Sequence, residues 1–167
     1  MSTNSSSNLV IRSATPADLN TLLEFEQAII EYERPMEPNM MTSPFHYYDL
    51  SEIMQLDNAE IIVAEDLTDN DQPKLVGSGF IHIRKARHYL DHDTHGYLGF
   101  MYVDPEYRGK GINKIIVSRL TEWAKSKQLE VLCLTVFAEN QSAIRAYEKA
   151  GFYQNLIEMR LNLKNPQ

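Results

Sequence analysis

A chain of 167 residues, 43% hydrophobic and 23% charged, has the length and composition of one globular domain with a sizeable core. Its 16 Lys plus Arg against 23 Asp plus Glu give a net charge of −7, which argues against a general nucleic-acid or anionic-membrane binder and suits a cationic small molecule or peptide. The lone Cys133 excludes an internal disulfide and a cysteine-cage zinc site, and no apolar run approaches a membrane span.

Residues 1–8 lack the basic and apolar regions of a signal peptide and read as a flexible polar tail on a cytoplasmic protein, with a single domain over 9–164. Leu9 to Ala14 reads as a strand. Thr15-Pro16 then caps a helix that runs to about Glu33 and stops before Pro35 and Pro38. Tyr47 to Leu56 predicts a second, short helix. Ala59 to Glu65 is a β-branched strand, Asp66 to Pro73 a polar turn, and Lys74 to Arg87 a longer antiparallel strand. After a His/Asp-rich connection at 88–95, Tyr97 to Val103 is again a strand.

From Gly111 to about Lys127 the spacing of Ile112, Ile115, Ile116, Leu120 and Trp123 predicts an amphipathic helix. Val131 to Phe137 is nearly all apolar, as in a strand buried on both faces. Asn140 caps a helix that ends at Gly151, and Phe152 to Leu163 predicts one or two closing strands. The fold class is mixed α/β: an antiparallel meander followed by strand–helix–strand–helix–strand.

The most informative stretch is Val103-Asp-Pro-Glu-Tyr-Arg-Gly-Lys-Gly-Ile-Asn113. A buried strand ends in an acidic, proline-containing turn, and a glycine loop opens a long helix. The unpaired N–H groups and positive dipole end of such a helix can hold a phosphate. Gly109 and Gly111 let a pyrophosphate approach the backbone, and Arg108, Lys110 and Lys114 form a basic island in an acidic chain. The Walker A spacing is absent, and Lys114 stands where a dinucleotide fingerprint needs its third glycine. A glycine used only for a tight turn is the plainer alternative.

Together with Asn140-Gln-Ser-Ala-Ile-Arg-Ala-Tyr147-Glu-Lys-Ala-Gly151-Phe152, this stretch resembles the GNAT superfamily of acyl-CoA-dependent N-acyltransferases over residues 97–152. Arg108 and Gly111 meet the Arg/Gln-x-x-Gly-x-Gly/Ala signature, with Asn113 in its last position. The resemblance implies a central, mainly antiparallel sheet with a parallel strand pair at the cofactor cleft, flanked by about four helices. It implies acetyl-CoA as co-substrate, with no metal. Met101, Tyr102 and Val103 would contact the pantetheine through their backbone. Gly109, Lys110, Gly111, Ile112, Asn113 and Lys114, with Arg108, would cradle the pyrophosphate, and Asn140 would bond the cofactor arm. Tyr147, seven residues after Asn140 and on the same helix face, would give a proton to the departing thiolate. A phenol of reference pKa about 10 is protonated at neutral pH, whereas a thiol of about 8.5 leaves as an anion needing a donor. Core packing for Tyr147 and simple capping for Asn140 are the bland alternatives.

The implied reaction is acetyl transfer to a primary amine by direct attack in a ternary complex, the acceptor being a small molecule or a peptide; a homodimer is compatible with it. The rivals are a non-catalytic acyl-CoA-binding regulatory module and an acyltransferase for longer acyl-CoA. The general base is not legible: acidic positions of relatives are Gly99, Phe100 and Thr135 here. On the first helix, Glu26 and Glu33 fall within the apolar arc of Leu19, Leu22, Leu23, Ile29 and Ile30. Each is a candidate for binding a cationic acceptor or relaying its proton, against the alternative of a paired or exposed glutamate. His88, Asp91, His92, Asp93 and His95 fit no standard metal spacing, and Cys133 reads as an apolar filler. Phe45, Tyr47 and Tyr48 suit either an acceptor cleft or helix packing.

Overall fold

The β-branched run at 59–66 forms the inner strand of an antiparallel meander, since alternate side chains point to opposite faces and both faces find apolar cover. The computed structural model describes residues 8–68 and 72–164, so most of the expected tail at 1–8 lies outside the described residues. Strands β1 (Leu9–Ser13), β2 (Ala59–Asp66), β3 (Lys74–Lys85), β4 (Thr94–Val103) and β5 (Leu132–Cys133) lie side by side in that order. The first four are antiparallel, and β4 and β5 run parallel. The helices are α1 (Leu19–Glu33), the short α2 (Leu50–Ile53), α3 (Ile112–Ser126) and α4 (Gln141–Lys149).

Helix α3 covers one face of the sheet, where Ile112, Ile116, Leu120 and Ala124 pack on Ile62, Val76, Ile81 and Leu98. Helices α1 and α2 cover the other, with Leu22, Phe25 and Leu50 on Ile61, Val63, Phe80 and Phe100. The predicted stripe of α3 is right at Ile112, Ile116 and Leu120. Ile115, however, is 44% exposed, and Val117 and Ala124 are buried instead. Ile115 follows the helix twist out of the sheet-facing arc.

The start of α1 is tied to the sheet by charge. Arg12 on β1 donates to both Asp18 oxygens (2.8 and 2.9 Å) and to both Glu65 oxygens on β2 (3.0 Å each). Asp18 also accepts the Thr15 backbone N–H at 2.7 Å, satisfying a donor ahead of the helix. The Arg12 guanidinium is the main cause holding the Asp18 carboxyl down at about 2. A depressed carboxyl stabilises the fold above its unfolded value, and that contribution is lost as pH falls through about 2. Arg12→Met should therefore cost about 2–3 kcal/mol at pH 7, lowering Tm by roughly 5–10 °C. Melts of both proteins should converge only below about pH 2, once Asp18 is protonated in the folded state as well.

Three predicted elements differ. The helix expected over Tyr47–Leu56 is restricted to Leu50–Ile53, capped by Asp49, whose side chain accepts the Glu52 N–H. The segment before it is tied to α1 by bonds from Gln27 and Glu26 to Phe45, His46 and Tyr48. The strand expected over 131–137 is reduced to Leu132–Cys133 and is half-buried rather than enclosed, because it has a strand neighbour on one side. No strand forms over 152–163: the segment joins no ladder among the described residues, and all of it but the half-buried Phe152 is exposed.

Candidate active site

The site is built where β4 leaves β5. The two strands pair at Gly96–Leu132 and Tyr97–Cys133, and the ladder stops there. Past this point β4 is bent by Phe100, a non-glycine residue with φ of 56°. Opposite it the β3–β4 register shifts between Ser78 and Phe80. Ser78 Oγ donates to the Phe100 carbonyl at 3.1 Å inside the sheet, pinning the bulge. A left-handed phenylalanine costs about 1–3 kcal/mol and persists only where its surroundings enforce it. Beyond Tyr97 no ladder joins β4 to β5, so the edge of Met101, Tyr102 and Val103 on that side opens on a gap with no strand partner among the described residues. Tyr102 itself is anchored by stacking on Phe25, with ring centroids 4.2 Å apart.

Following β4, Asp104 Oδ1 accepts the Glu106 N–H, and Arg108 Nε donates to the Val103 carbonyl at 3.2 Å. Gly109 and Gly111 both have positive φ, 75° and 80°, and a side-chain carbon on either would meet open space. Gly111 is the N-cap of α3, with no side chain capping the first turn. Its leading N–H groups are thus presented to an anion, with Lys110 and Lys114 on the exposed rim. Lys110 Nζ lies 4.5 Å from the Tyr107 ring centroid. This open, uncapped turn fits a pyrophosphate, and the adjoining gap fits an extended arm able to hydrogen-bond a strand edge.

At the narrow end of the gap several polar side chains meet. Tyr97 Oη and Thr135 Oγ1 share a 2.8 Å hydrogen bond across the splay, and the Arg84 guanidinium lies 3.6 Å over the Tyr97 ring. Tyr147 is on α4, whose cap is Asn140: its Oδ1 accepts the Ala143 N–H at 3.3 Å. The Tyr147 ring packs edge-on to Phe152 at 5.9 Å. Burial, then the neighbouring Glu33 carboxylate and Tyr97, push its hydroxyl up to about 12. Burial also raises the Glu33 carboxyl above the ordinary carboxylate value, with the Tyr47 hydroxyl partly offsetting it. That hydroxyl is buried without a hydrogen bond of normal length among the described residues, and its own burial, then the Glu33 charge, raise it. Tyr48 closes the floor. A side-chain carbon on Gly99 would come within 3.1 Å of its hydroxyl and 2.9 Å of the Phe80 ring, so this strand position has no room for a carboxylate.

The two glutamates of α1 separate sharply. Glu26 is fully buried. Its Oε2 meets His46 Nδ1 at 2.5 Å, and its Oε1 accepts the Tyr48 N–H at 2.9 Å. Both oxygens are thus engaged in holding the 46–48 segment. Only Glu33 faces the tyrosines. Tyr97 and Thr135 carry no local sequence signal as a pair, because their pairing depends on strand register. A groove lined by Leu19, Leu23 and Tyr48 flanks α1 and includes none of Glu33, Tyr97 and Tyr147. Among the described residues, no three His, Cys, Asp or Glu side chains are grouped to hold a metal ion. His92 in the β3–β4 connection and His95 at the start of β4 have ring centroids 6.4 Å apart. Burial raises the Cys133 thiol, keeping it protonated.

Comparison with known proteins agrees with this geometry. The profile of the acetyltransferase (GNAT) family matches residues 25–152. Thialysine N-epsilon-acetyltransferase of Bos taurus is 26% identical over 165 residues, covering 90% of this chain and 86% of that protein. The uncharacterized N-acetyltransferase YobR of Bacillus subtilis is 42% identical over 60 residues, 36% of this chain but about a quarter (24%) of that protein's length. Among solved structures, that of a predicted acetyltransferase with acetyl-CoA from Clostridium acetobutylicum superposes with a TM-score of 0.69 at 21% identity, covering 93% of this chain and 97% of the other.

Proposed function

The chain belongs to the acetyltransferase (GNAT) family, and we propose that it moves the acetyl group of acetyl-CoA to a primary amine by direct attack in a ternary complex. The observation that carries this reading is the β4–β5 splay ending on the left-handed glycines that open α3. Bound acetyl-CoA would supply the activated thioester. The N–H groups from Gly109 to Lys114, with Arg108 and Lys110 at the rim, hold its pyrophosphate. The free edge of Met101, Tyr102 and Val103 aligns the pantetheine arm, and Asn140 bonds it from α4. Backbone N–H groups beside the Phe100 bend polarise the thioester carbonyl.

Glu33 is the group we assign to the acceptor. Amines arrive protonated, and a half-buried carboxylate both attracts the cation and takes up its proton. A thialysine-acetylating relative over 90% of the chain supports an acceptor with a cationic amine on a flexible stem. Tyr147 donates its O–H to the departing sulfur. Its pKa, raised chiefly by burial, keeps the hydroxyl protonated and ready to donate.

Calorimetric titration with acetyl-CoA, followed by free-thiol release over a panel of amines, tests the reading. Binding with amine-dependent release supports it, and absence of acetyl-CoA binding rejects it. Binding without release across lysine-like and amino-sugar acceptors would favour the regulatory module instead. Gly111→Ala should raise the KM for acetyl-CoA more than about 10-fold with kcat within about two-fold, because a methyl group enters the cradle and the positive φ disfavours it. Steady-state kinetics with varied acetyl-CoA measures this.

A further inference from the structure

Arg84 is a cation without a counter-charge. On β3, Phe80, His82 and Arg84 alternate onto one face, the face that α1 and α2 cover around Phe80. In the β3–β4 ladder Arg84 stands opposite His95, and His82 opposite Tyr97. The arginine therefore reaches the Tyr97 ring along the diagonal, with its guanidinium carbon 3.6 Å from the ring centroid. Stacking of this kind uses the flat face of a guanidinium and leaves its N–H edge for other groups. The chain holds 23 Asp plus Glu, and Arg12, Arg34 and Arg160 each donate to carboxylates among them. Exposed Arg84, by contrast, has no hydrogen bond or ion pair to any described residue.

Glu33 is the opposite charge on the same patch of tyrosines. Burial and then Tyr97 raise the Tyr48 hydroxyl; Glu33 raises it further, and Arg84 lowers it. One hydroxyl thus feels both charges, yet the two form no ion pair with each other. The neighbouring histidines add no further cation. Burial, then Arg84 itself, lowers His82, and burial, then His92 and Arg84, lowers His95, so both are neutral at pH 7. A single fixed cation with a forked donor edge matches a carboxylate, whereas a phosphate dianion would stay half-neutralised.

We propose that the acceptor is an amino acid, its carboxylate held by the Arg84 guanidinium while its reacting amine faces Glu33. This assignment rests on the acetyl-transfer reading and names the substrate class of the same site. Two separated, unpaired charges of opposite sign recognise a zwitterion and discriminate against amines that lack the acid group.

The test compares acceptors matched in everything but the carboxylate: L-lysine with L-lysinamide, and L-ornithine with L-ornithinamide, each followed by thiol release from acetyl-CoA. In the parent, kcat/KM should favour the acids by about 10- to 100-fold, mainly through the acceptor KM. In Arg84→Gln the acid-to-amide ratio should fall to about 1, and in Arg84→Lys it should lie between, because the charge remains and the fork is lost. A ratio taken within one preparation does not depend on how much of a variant is folded. Release from acids and amides alike in the parent overturns the inference and leaves acetyl transfer standing, whereas no release from any amine takes down both. Equal losses for acid and amide in Arg84→Gln would mean that the arginine only steadies Tyr97, which also overturns it. So would glucosamine 6-phosphate outrunning both amino acids with an advantage that disappears in Arg84→Gln, since the anion held would then be a phosphate.

Discussion

Tyr147→Phe is expected to lower kcat by about 100-fold while leaving the affinity for acetyl-CoA within about two-fold. The ring stays, so its edge-on contact with Phe152 and the packing of α4 are retained; only the O–H is removed. The size of the effect follows from what the hydroxyl faces. A phenol pushed up to about 12 is fully protonated throughout the working pH range, so each turnover starts with the donor loaded. Without it the thiolate must leave as a bare anion into a partly buried site, where charge is costly to hold. Acyl donors with better leaving groups should suffer less: with a thioester of a more acidic thiol, the deficit should shrink. Rapid-quench measurement of acetyl transfer, beside calorimetry of acetyl-CoA, separates the chemical step from binding. A variant that turns over as fast as the parent would reduce Tyr147 to core packing and return weight to a non-catalytic, acyl-CoA-binding role.

How much of this site was legible in the sequence depends on the range over which each contact acts. The glycine turn and the Asn140-to-Tyr147 spacing are local, and the structure sets them at the head of α3 and along α4 as their pattern required. Glu26 and Glu33 could not be told apart, because seven residues is two helical turns and both occupy one face. Their difference is set by the 46–48 segment, which docks on Glu26 from 20 residues away and leaves Glu33 to Tyr47. The absence of an acid at position 99 likewise had no local cause; it follows from Tyr48 and Phe80 crowding that carbon. The strand predicted after Phe152 shows the opposite case. Its alternation is regular, but a strand exists only with a partner, and among the described residues no ladder joins this segment to the sheet.

Glu33→Gln should lower kcat/KM by about 30- to 100-fold and remove the acidic limb of its pH profile. In the parent, kcat/KM is expected to fall as pH drops through the Glu33 pKa, which burial holds above the ordinary carboxylate value. Once protonated, the side chain neither attracts the ammonium nor accepts its proton. In the variant the profile should be flat over that window at the lower level. The split between constants reports the role. A loss mainly in the acceptor KM marks a binding carboxylate, and a loss in kcat marks the base. Stability should move the other way. Because the folded state binds this proton more tightly than the unfolded state, stability falls as pH rises from the unfolded value through the folded one, and the charge remains a penalty above it. Glutamine carries no such penalty, so the variant should melt about 1–3 °C higher at pH 7, and the gap should close near pH 4, where the parent's Glu33 is itself neutral. An enzyme that becomes more stable as it becomes less active is what a half-buried charge kept for chemistry predicts. A variant destabilised equally at both pH values would mean that Glu33 serves the fold through Tyr47 and has no part in the reaction.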